Sequence, residues 1–329
     1  MKKLLTTALI LVFSAMFIGA ANAKIEIKLG HVGPPVDDKT EIACQVFKKY
    51  VEEQSKGEIE VKTFPGSQLG GERELLEGAQ MGTVEMVIVT TGPMPSLCTE
   101  VQVLDTPYLF PDAETAFRIL DGEPGRHLAE IFRKKTGVRL LEYGDNGYRH
   151  LTNKVRPIRV PADLKGLKIR TMENPTHMDL MRSMGAIPTP LPFAEVYTAL
   201  SQGVVDGQEN PIGLIETMKF YEVQKYLTLD GHLYSPFPLF INDGFFQKLS
   251  PAHQKIITDG AVLWRNEHRS YFAKQEKRGL ETIKNAGVEV IVITPEQFEA
   301  FNKATLPVAQ AIEKEVGKEL MDMFRSTSK

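Results

Sequence analysis

Apolar and polar residues alternate from Lys24 to Leu29 and then give way to Gly30-His31-Val32-Gly33-Pro34-Pro35, which reads as a strand running into a loop. Asp37 or Asp38 can cap the helix that follows, where Ile42, Val46, Phe47, Tyr50 and Val51 recur at helical spacing. The same order returns as a strand over Ile59 to Thr63, a helix from near Gly71, and a short apolar strand, Met86-Val87-Ile88-Val89, with Thr90 and Thr91 at its C-terminal tip. A helical pattern covers Asp112 to Lys135, and Val138 to Tyr143 reads as a strand followed by Asn146-Gly147-Tyr148-Arg149-His150. After Pro157 and Pro161, the strand Gly166 to Arg170, helix-like residues Met178 to Met184, a strand near Ile187, a helix over Glu195 to Leu200 and a strand at Val205 continue the alternation. Such an order predicts an α/β fold with parallel sheets.

Ser250 can cap a segment that stays helical to Asn285, with Pro251 in the first helical position and Gly287 just past the end. As one helix it would be about 50 Å long, enough to brace two lobes. Gly260 and Gly279 leave open two shorter helices instead. The chain closes with a strand over Val288 to Ile293 and helices after Pro295 and Pro307.

Met1-Lys2-Lys3, the apolar run from Leu4 to Ala20, and Ala21-Asn22-Ala23 have the three parts of a secretory signal, with cleavage expected after Ala23. No later apolar stretch approaches the length that spans a bilayer, so an exported soluble protein is expected, periplasmic in location. Removing residues 1–23 from the 329 leaves 306, enough for two lobes, with 37 basic against 42 acidic residues. That balance offers no footprint for nucleic acid or an anionic membrane, so an anionic ligand must be held by locally placed Arg or Lys. The two cysteines, Cys44 and Cys98, have no zinc spacing; export permits a disulfide, whose geometry the sequence cannot supply.

Two stretches carry the candidate chemistry. Gly166-Leu167-Lys168-Ile169-Arg170 packs Leu167 and Ile169 to one side and ends in an arginine at the strand end that faces the ligand crevice of open α/β sheets. A guanidinium there presents a rigid fork of donors matched to a carboxylate. Val205-Asp206-Gly207-Gln208-Glu209-Asn210-Pro211 ends a second strand with amides and a turn-forming proline. Together they point to a site for a small organic anion, although a surface arginine and two plain turns would fit the same residues. A Gly-rich phosphate cradle, GxSxG, HExxH and CxxC are all absent from the sequence, and the seven histidines are scattered without ligand spacing. His31 and His150 alone stand in loops where the crevice is expected. No metal, cofactor or catalytic residue is therefore assigned, and the chain is not read as an enzyme.

Gln68-Leu69-Gly70, Asn146-Gly147-Tyr148-Arg149, Gly166-Leu167-Lys168-Ile169-Arg170, Phe193-Ala194-Glu195-Val196-Tyr197, Val205 to Pro211 and Phe220-Tyr221-Glu222-Val223 occur in an order that resembles the solute-binding proteins of tripartite ATP-independent periplasmic (TRAP) transporters, the DctP family. The resemblance covers essentially the whole mature chain. It implies an α/β, two-lobed periplasmic-binding-protein-like clamshell with crossing strands and a long helix spanning both lobes. Lobe I is expected over residues 24–146 plus 236–275, and lobe II over 147–235 plus 276–329. By the same resemblance, Arg170 makes the main salt bridge to a ligand carboxylate, Arg149 and Asn210 assist, and Glu72, Thr90 and Phe193 line the pocket. Thr90 stands where sialic-acid-binding members carry an acid, and Val32 where they carry an asparagine, which points away from sialic acid.

Thr91, His31 and Phe237 complete the expected site, with Tyr148 and Tyr234 as further aromatic candidates. The mixture suits an oxo-, hydroxy- or aromatic monocarboxylate; a C4-dicarboxylate would need Arg149 or a histidine for its second charge. Sugar-acid binding and service to a membrane sensor are the alternatives. The implied partner is a sodium-coupled TRAP permease, and the chain is expected to be a monomer.

Overall fold

The computed structural model describes residues 24–326, so the expected signal segment lies outside the described residues. Strand β1 (Ile25–His31) leads to helix α1 (Lys39–Gln54), β2 (Ile59–Phe64), α2 (Glu72–Met81) and β3 (Met86–Ile88). Helices α3 (Ala113–Leu120) and α4 (Glu123–Thr136) precede the long strand β4 (Val138–Asn153). The second half repeats the scheme with β5 (Lys168–Thr171), α5 (Pro175–Ser183), β6 (Ile187–Pro190), α6 (Val196–Gln202), β7 (Gly207–Asn210) and α7 (Ile212–Thr217). Strand β8 (Tyr226–Asn242) returns, followed by α8 (Asp243–Lys248), α9 (Pro251–Asn285), β9 (Glu289–Val292), α10 (Pro295–Val316) and α11 (Lys318–Ser326).

The strands form one continuous sheet in the order β2-β1-β3-β8-β4-β7-β5-β6, with β9 beside β8. β1 lies parallel to β2 and β3, and β5 parallel to β6 and β7, as the alternating pattern predicts. The sheet as a whole is mixed, because β8 runs antiparallel to β3 and β4 antiparallel to both β7 and β8. These two long strands cross between the lobes. β4 pairs with β8 along its length and with β7 only from His150 to Asn153, while β8 meets β3 near its end and β9 near its start. Register shifts between Leu140 and Glu142, Asp145 and Gly147, and Arg149 and Leu151 bend the ribbon where it passes the cleft.

Each half of the sheet is covered on both faces. In the first lobe, Phe47 and Val51 of α1 pack with Ile27, Leu29 and Trp264 on one side, and Leu75, Val87 and Phe132 pack on the other. In the second, Ile169, Leu180 and Phe301 fill one face, and Val196, Phe220 and Ile283 the other. The last helix, α11, contributes Met321 and Phe324 to the core of the first lobe.

α9 is one unbroken helix of 35 residues, capped by Ser250, whose hydroxyl accepts from the His253 N–H at 3.2 Å. Its glycines are approach points and do not break it. A Cβ at Gly260 would sit 3.1 Å from Phe47 of α1, and one at Gly279 would sit 3.1 Å from Ile212 of α7, so each lobe docks a helix on one of them. α10 likewise runs through Pro307 instead of restarting there. Cys44 and Cys98 are free buried thiols in separate cores.

Candidate functional site

β1, β3, β5 and β7 point toward the space between the lobes, where a partly open cleft holds about 440 Å3 of atom-free volume, open solvent included. Arg170, Met172 and Phe193 face it from one lobe and Glu72 and Thr90 from the other; Arg149 and Asn146 of β4 and Asn210 of β7 complete the floor. A wider hollow opens outward and shares Glu72, Arg170, Met172 and Phe193, so those four stand at the mouth.

Ile169 is buried in the second lobe's core, and β5 thereby fixes the next residue, Arg170, beside the cavity with 2% of its surface exposed. Its Nε and Nη2 donate to the backbone carbonyl of Leu191 at 3.0 and 2.6 Å, which aims the guanidinium without neutralising it. Nη1 is buried with no hydrogen-bond partner, and no carboxylate among the described residues forms an ion pair with this side chain. Burial lowers its pKa to about 10, against the opposing pull of Glu209 and with Arg149 adding to the decrease. A cation in that state lacks an anion.

Arg149 is held differently. Its Nε and Nη2 both donate to the Glu209 carboxylate, Nη2 also reaches the Glu209 carbonyl at 2.7 Å, and Asn210 Oδ1 accepts from Nη2 at 3.2 Å. Behind Glu209, His232 lies 3.3 Å from its Oε2 and 2.7 Å from Asp230. Burial opposes ionisation of Glu209, but Arg149 and His232 outweigh it and hold the carboxyl far below its usual range. Burial likewise opposes protonation of His232, and Asp230 and Glu209 outweigh that, raising its pKa to about 9. β7 can approach β4 this closely because position 207 is glycine; a Cβ there would lie 2.1 Å from the Thr152 carbonyl oxygen.

On the opposite wall, Glu72 begins α2 and accepts from the Thr90 N–H and hydroxyl, each at 2.7 Å. Burial raises its pKa, with the Thr90 hydrogen bonds and Arg170 opposing. Phe193 stands edge-on to Phe220, and Phe237 lines the inner end. Of the residues singled out from sequence, Thr91, His31, Tyr148 and Tyr234 do not line the cavity; the two tyrosine hydroxyls donate instead to the Phe110 carbonyl and to Asp145, each at 3.0 Å. Thr91 donates to Asp105 at 2.7 Å, and His31 is buried against Glu41 at 2.9 Å. His150 lies within β4, not in a loop, and its Nδ1 accepts from the Gly231 N–H. His31, Glu41 and Cys44 bring three potential metal ligands within 4.8 Å of one another, but burial pushes the Cys44 thiol well above its usual range and so disfavours the thiolate a metal needs.

Asp38, read from the sequence only as a possible helix cap, and Lys39, Met172 and Leu214, which the sequence did not single out, all line the cavity. Asn146 stood inside a quoted motif without being assigned a role. The available signal was position, since the first residues of a helix entering from the crevice loop must face that crevice.

Residues 29–315 match the sequence profile of the family described as DctP, bacterial extracellular solute-binding protein, family 7. The chain belongs to this family. It is 41% identical to a solute-binding protein of Verminephrobacter eiseniae, over 87% of this chain and 84% of that one. It is 36% identical to the 2,3-diketo-L-gulonate-binding periplasmic protein YiaO of Escherichia coli, over 97% of this chain and 93% of that one. Its fold matches a TRAP periplasmic solute-binding protein of a Polaromonas species bound to D-erythronate with a TM-score of 0.87 and 37% identity, covering 92% of this chain and 99% of that one. The expected two-lobed architecture of a TRAP solute-binding protein is thus borne out. Among the described residues, no helix of this DctP-family protein is long and apolar enough to cross a membrane.

Proposed function

We propose that this DctP-family protein captures a small organic-acid anion, an oxo- or hydroxy-monocarboxylate, between its lobes and delivers it to a TRAP permease. The observation that carries this reading is the buried guanidinium of Arg170, aimed by the Leu191 carbonyl and lacking an ionic partner. A ligand carboxylate would supply the missing charge and accept from Nη1. Arg149, Asn210, Glu72, Thr90, Phe193 and Phe237 then shape the pocket, with Thr91 and His31 one layer behind.

The mouth residues come from both lobes, so a bound anion favours the closed arrangement and closure distinguishes loaded from empty protein. Lobe boundaries at 24–146 plus 236–275 and 147–235 plus 276–329 would put the hinge on β4, β8 and α9, although α11, inside the second range, packs in the first lobe's core. Export with removal of residues 1–23, monomeric action and simple retention of the ligand without turnover belong to the same reading.

A thermal-shift screen of organic acids tests it, because a ligand bound only by the native state raises the melting temperature. Arg170→Ala is expected to weaken the best acid by about 30-fold to several-thousand-fold, the effect of about 2 to 5 kcal/mol for losing one partner of a buried charged pair. A screen in which no acid stabilises the protein, or calorimetry showing equal affinity for the variant, rejects the reading.

A further inference from the structure

The inner end of the cavity, away from the mouth, carries a second set of polar groups that the sequence did not reveal. Asp38, Lys39 and Asn146 are each 1% exposed and all face the same space. Lys39 Nζ donates to Asn146 Oδ1 at 2.9 Å and lies 4.7 Å from the centre of the Phe272 ring, yet it forms no ion pair with any carboxylate among the described residues. Asn146 Nδ2 is buried with no partner at all. Asp38 Oδ1 accepts from the Thr40 N–H at 2.9 Å, which leaves its other oxygen without a donor. The inner end therefore presents unused donors from Lys39 and Asn146 beside an unused acceptor on Asp38.

A hydroxyl group both donates and accepts, so it can use the two kinds of partner together. A second carboxylate only accepts. It would also face the Asp38 carboxylate, with Asp145 and Glu276 close enough to act on Lys39 as well. Charge balance agrees. Glu209 pairs with Arg149, and Lys39 lies in the field of Asp38, Asp145 and Glu276, which leaves Arg170 as the cavity cation without a counter-charge. One ligand carboxylate meets that need, and a second would add to the acids around Lys39. An unsubstituted alkyl end would leave the buried Asn146 and Lys39 donors unsatisfied.

We propose that Asp38, Lys39 and Asn146 form a hydroxyl-reading subsite that selects polyhydroxylated monocarboxylates, the sugar-acid class, over unsubstituted acids and over dicarboxylates. This rests on the assignment of Arg170 as the carboxylate holder and adds the group that recognises the rest of the molecule.

The test is isothermal titration of the wild-type protein and Lys39→Met with four acids: erythronate, galactonate, butyrate and succinate. Butyrate repeats the four-carbon chain of erythronate without hydroxyls, and succinate repeats it with a second carboxylate. At least one polyhydroxy acid is expected to bind wild type about 100-fold or more tighter than butyrate and succinate. Lys39→Met is expected to lose about 30-fold or more of that affinity while leaving butyrate unaffected and the unliganded melting temperature undiminished. Butyrate or succinate binding as tightly as both polyhydroxy acids, or Lys39→Met retaining full affinity for them, overturns the subsite and leaves carboxylate capture by Arg170 standing. The first of these readouts needs no variant, so a folding defect in Lys39→Met cannot obscure it. Failure of all four acids and of the wider screen to bind wild type removes both claims.

Discussion

Arg149 on β4 and Arg170 on β5 flank the same strand, β7, and face the same cavity, yet the ground beneath them is opposite. Arg149 is enclosed by Glu209, Asn210 and a backbone carbonyl, and a chain of alternating charge continues through His232 to Asp230. Arg170 has one backbone carbonyl and an idle Nη1. A buried cation already paired with a carboxylate is part of the fold, whereas a buried cation with no ion pair is a vacancy for a ligand. The contrast teaches that burial of an arginine in a cleft does not identify the ligand-holding one; the missing counter-charge does.

The contrast breaks most visibly if Arg149 is removed. Arg149→Ala leaves buried Glu209 with His232 as its one charged partner and is expected to cost about 3 to 5 kcal/mol of stability, read as a large fall in melting temperature without ligand. Arg170→Ala should leave that temperature unchanged or raise it. Equal destabilisation by the two would erase the distinction.

Alkali attacks the same side. His232 has a folded pKa raised to about 9 from an ordinary value of 6.5. Its contribution to stability is fully present below the ordinary value and is lost as pH rises through about 9. Melting temperatures measured from pH 6 to 10 should therefore fall over the upper part of that range, and His232→Gln should flatten the fall; a profile identical in the two proteins contradicts the network.

Gly147 sharpens the comparison, because it sits where β4 bends beside Arg149. Its φ is +87° and an added Cβ would meet the Phe272 ring at 2.2 Å, so Gly147→Ala is expected to cost about 1 to 3 kcal/mol in chemical denaturation. The smallest effect belongs to the Arg170 side. Thr90→Val keeps the shape of the wall and removes the hydroxyl bonded to Glu72, for a loss of about 1 kcal/mol, or roughly fivefold, in ligand affinity with little change in stability.

What could be read from the chain follows the same division. The parallel units were legible because their strands and helices keep clean periods, and Arg170 was legible because Leu167 and Ile169 set the phase of β5. β8 was not. It is buried on both faces, so it does not alternate, and Gly231, Pro236 and Pro238 interrupt it as a turn would. The far half of β4 was read as loop because register shifts and Gly144 and Gly147 break its period where α9 presses against it. Periodicity alone therefore gave a wholly parallel sheet, and the crossing strands entered only through the family resemblance. Lys39 escaped notice because a lysine beside a helix cap is ordinary, and only the fold places it over Phe272 and against Asn146.

The most direct test of the account is a thermodynamic cycle built from charge on both partners. The tightest-binding acid and its neutral carboxamide are titrated calorimetrically into the wild-type protein and into Arg170→Met. The account predicts that the acid outbinds the amide in wild type and that this preference shrinks by about 2 kcal/mol or more when the guanidinium is gone. A preference of equal size in both proteins would contradict it.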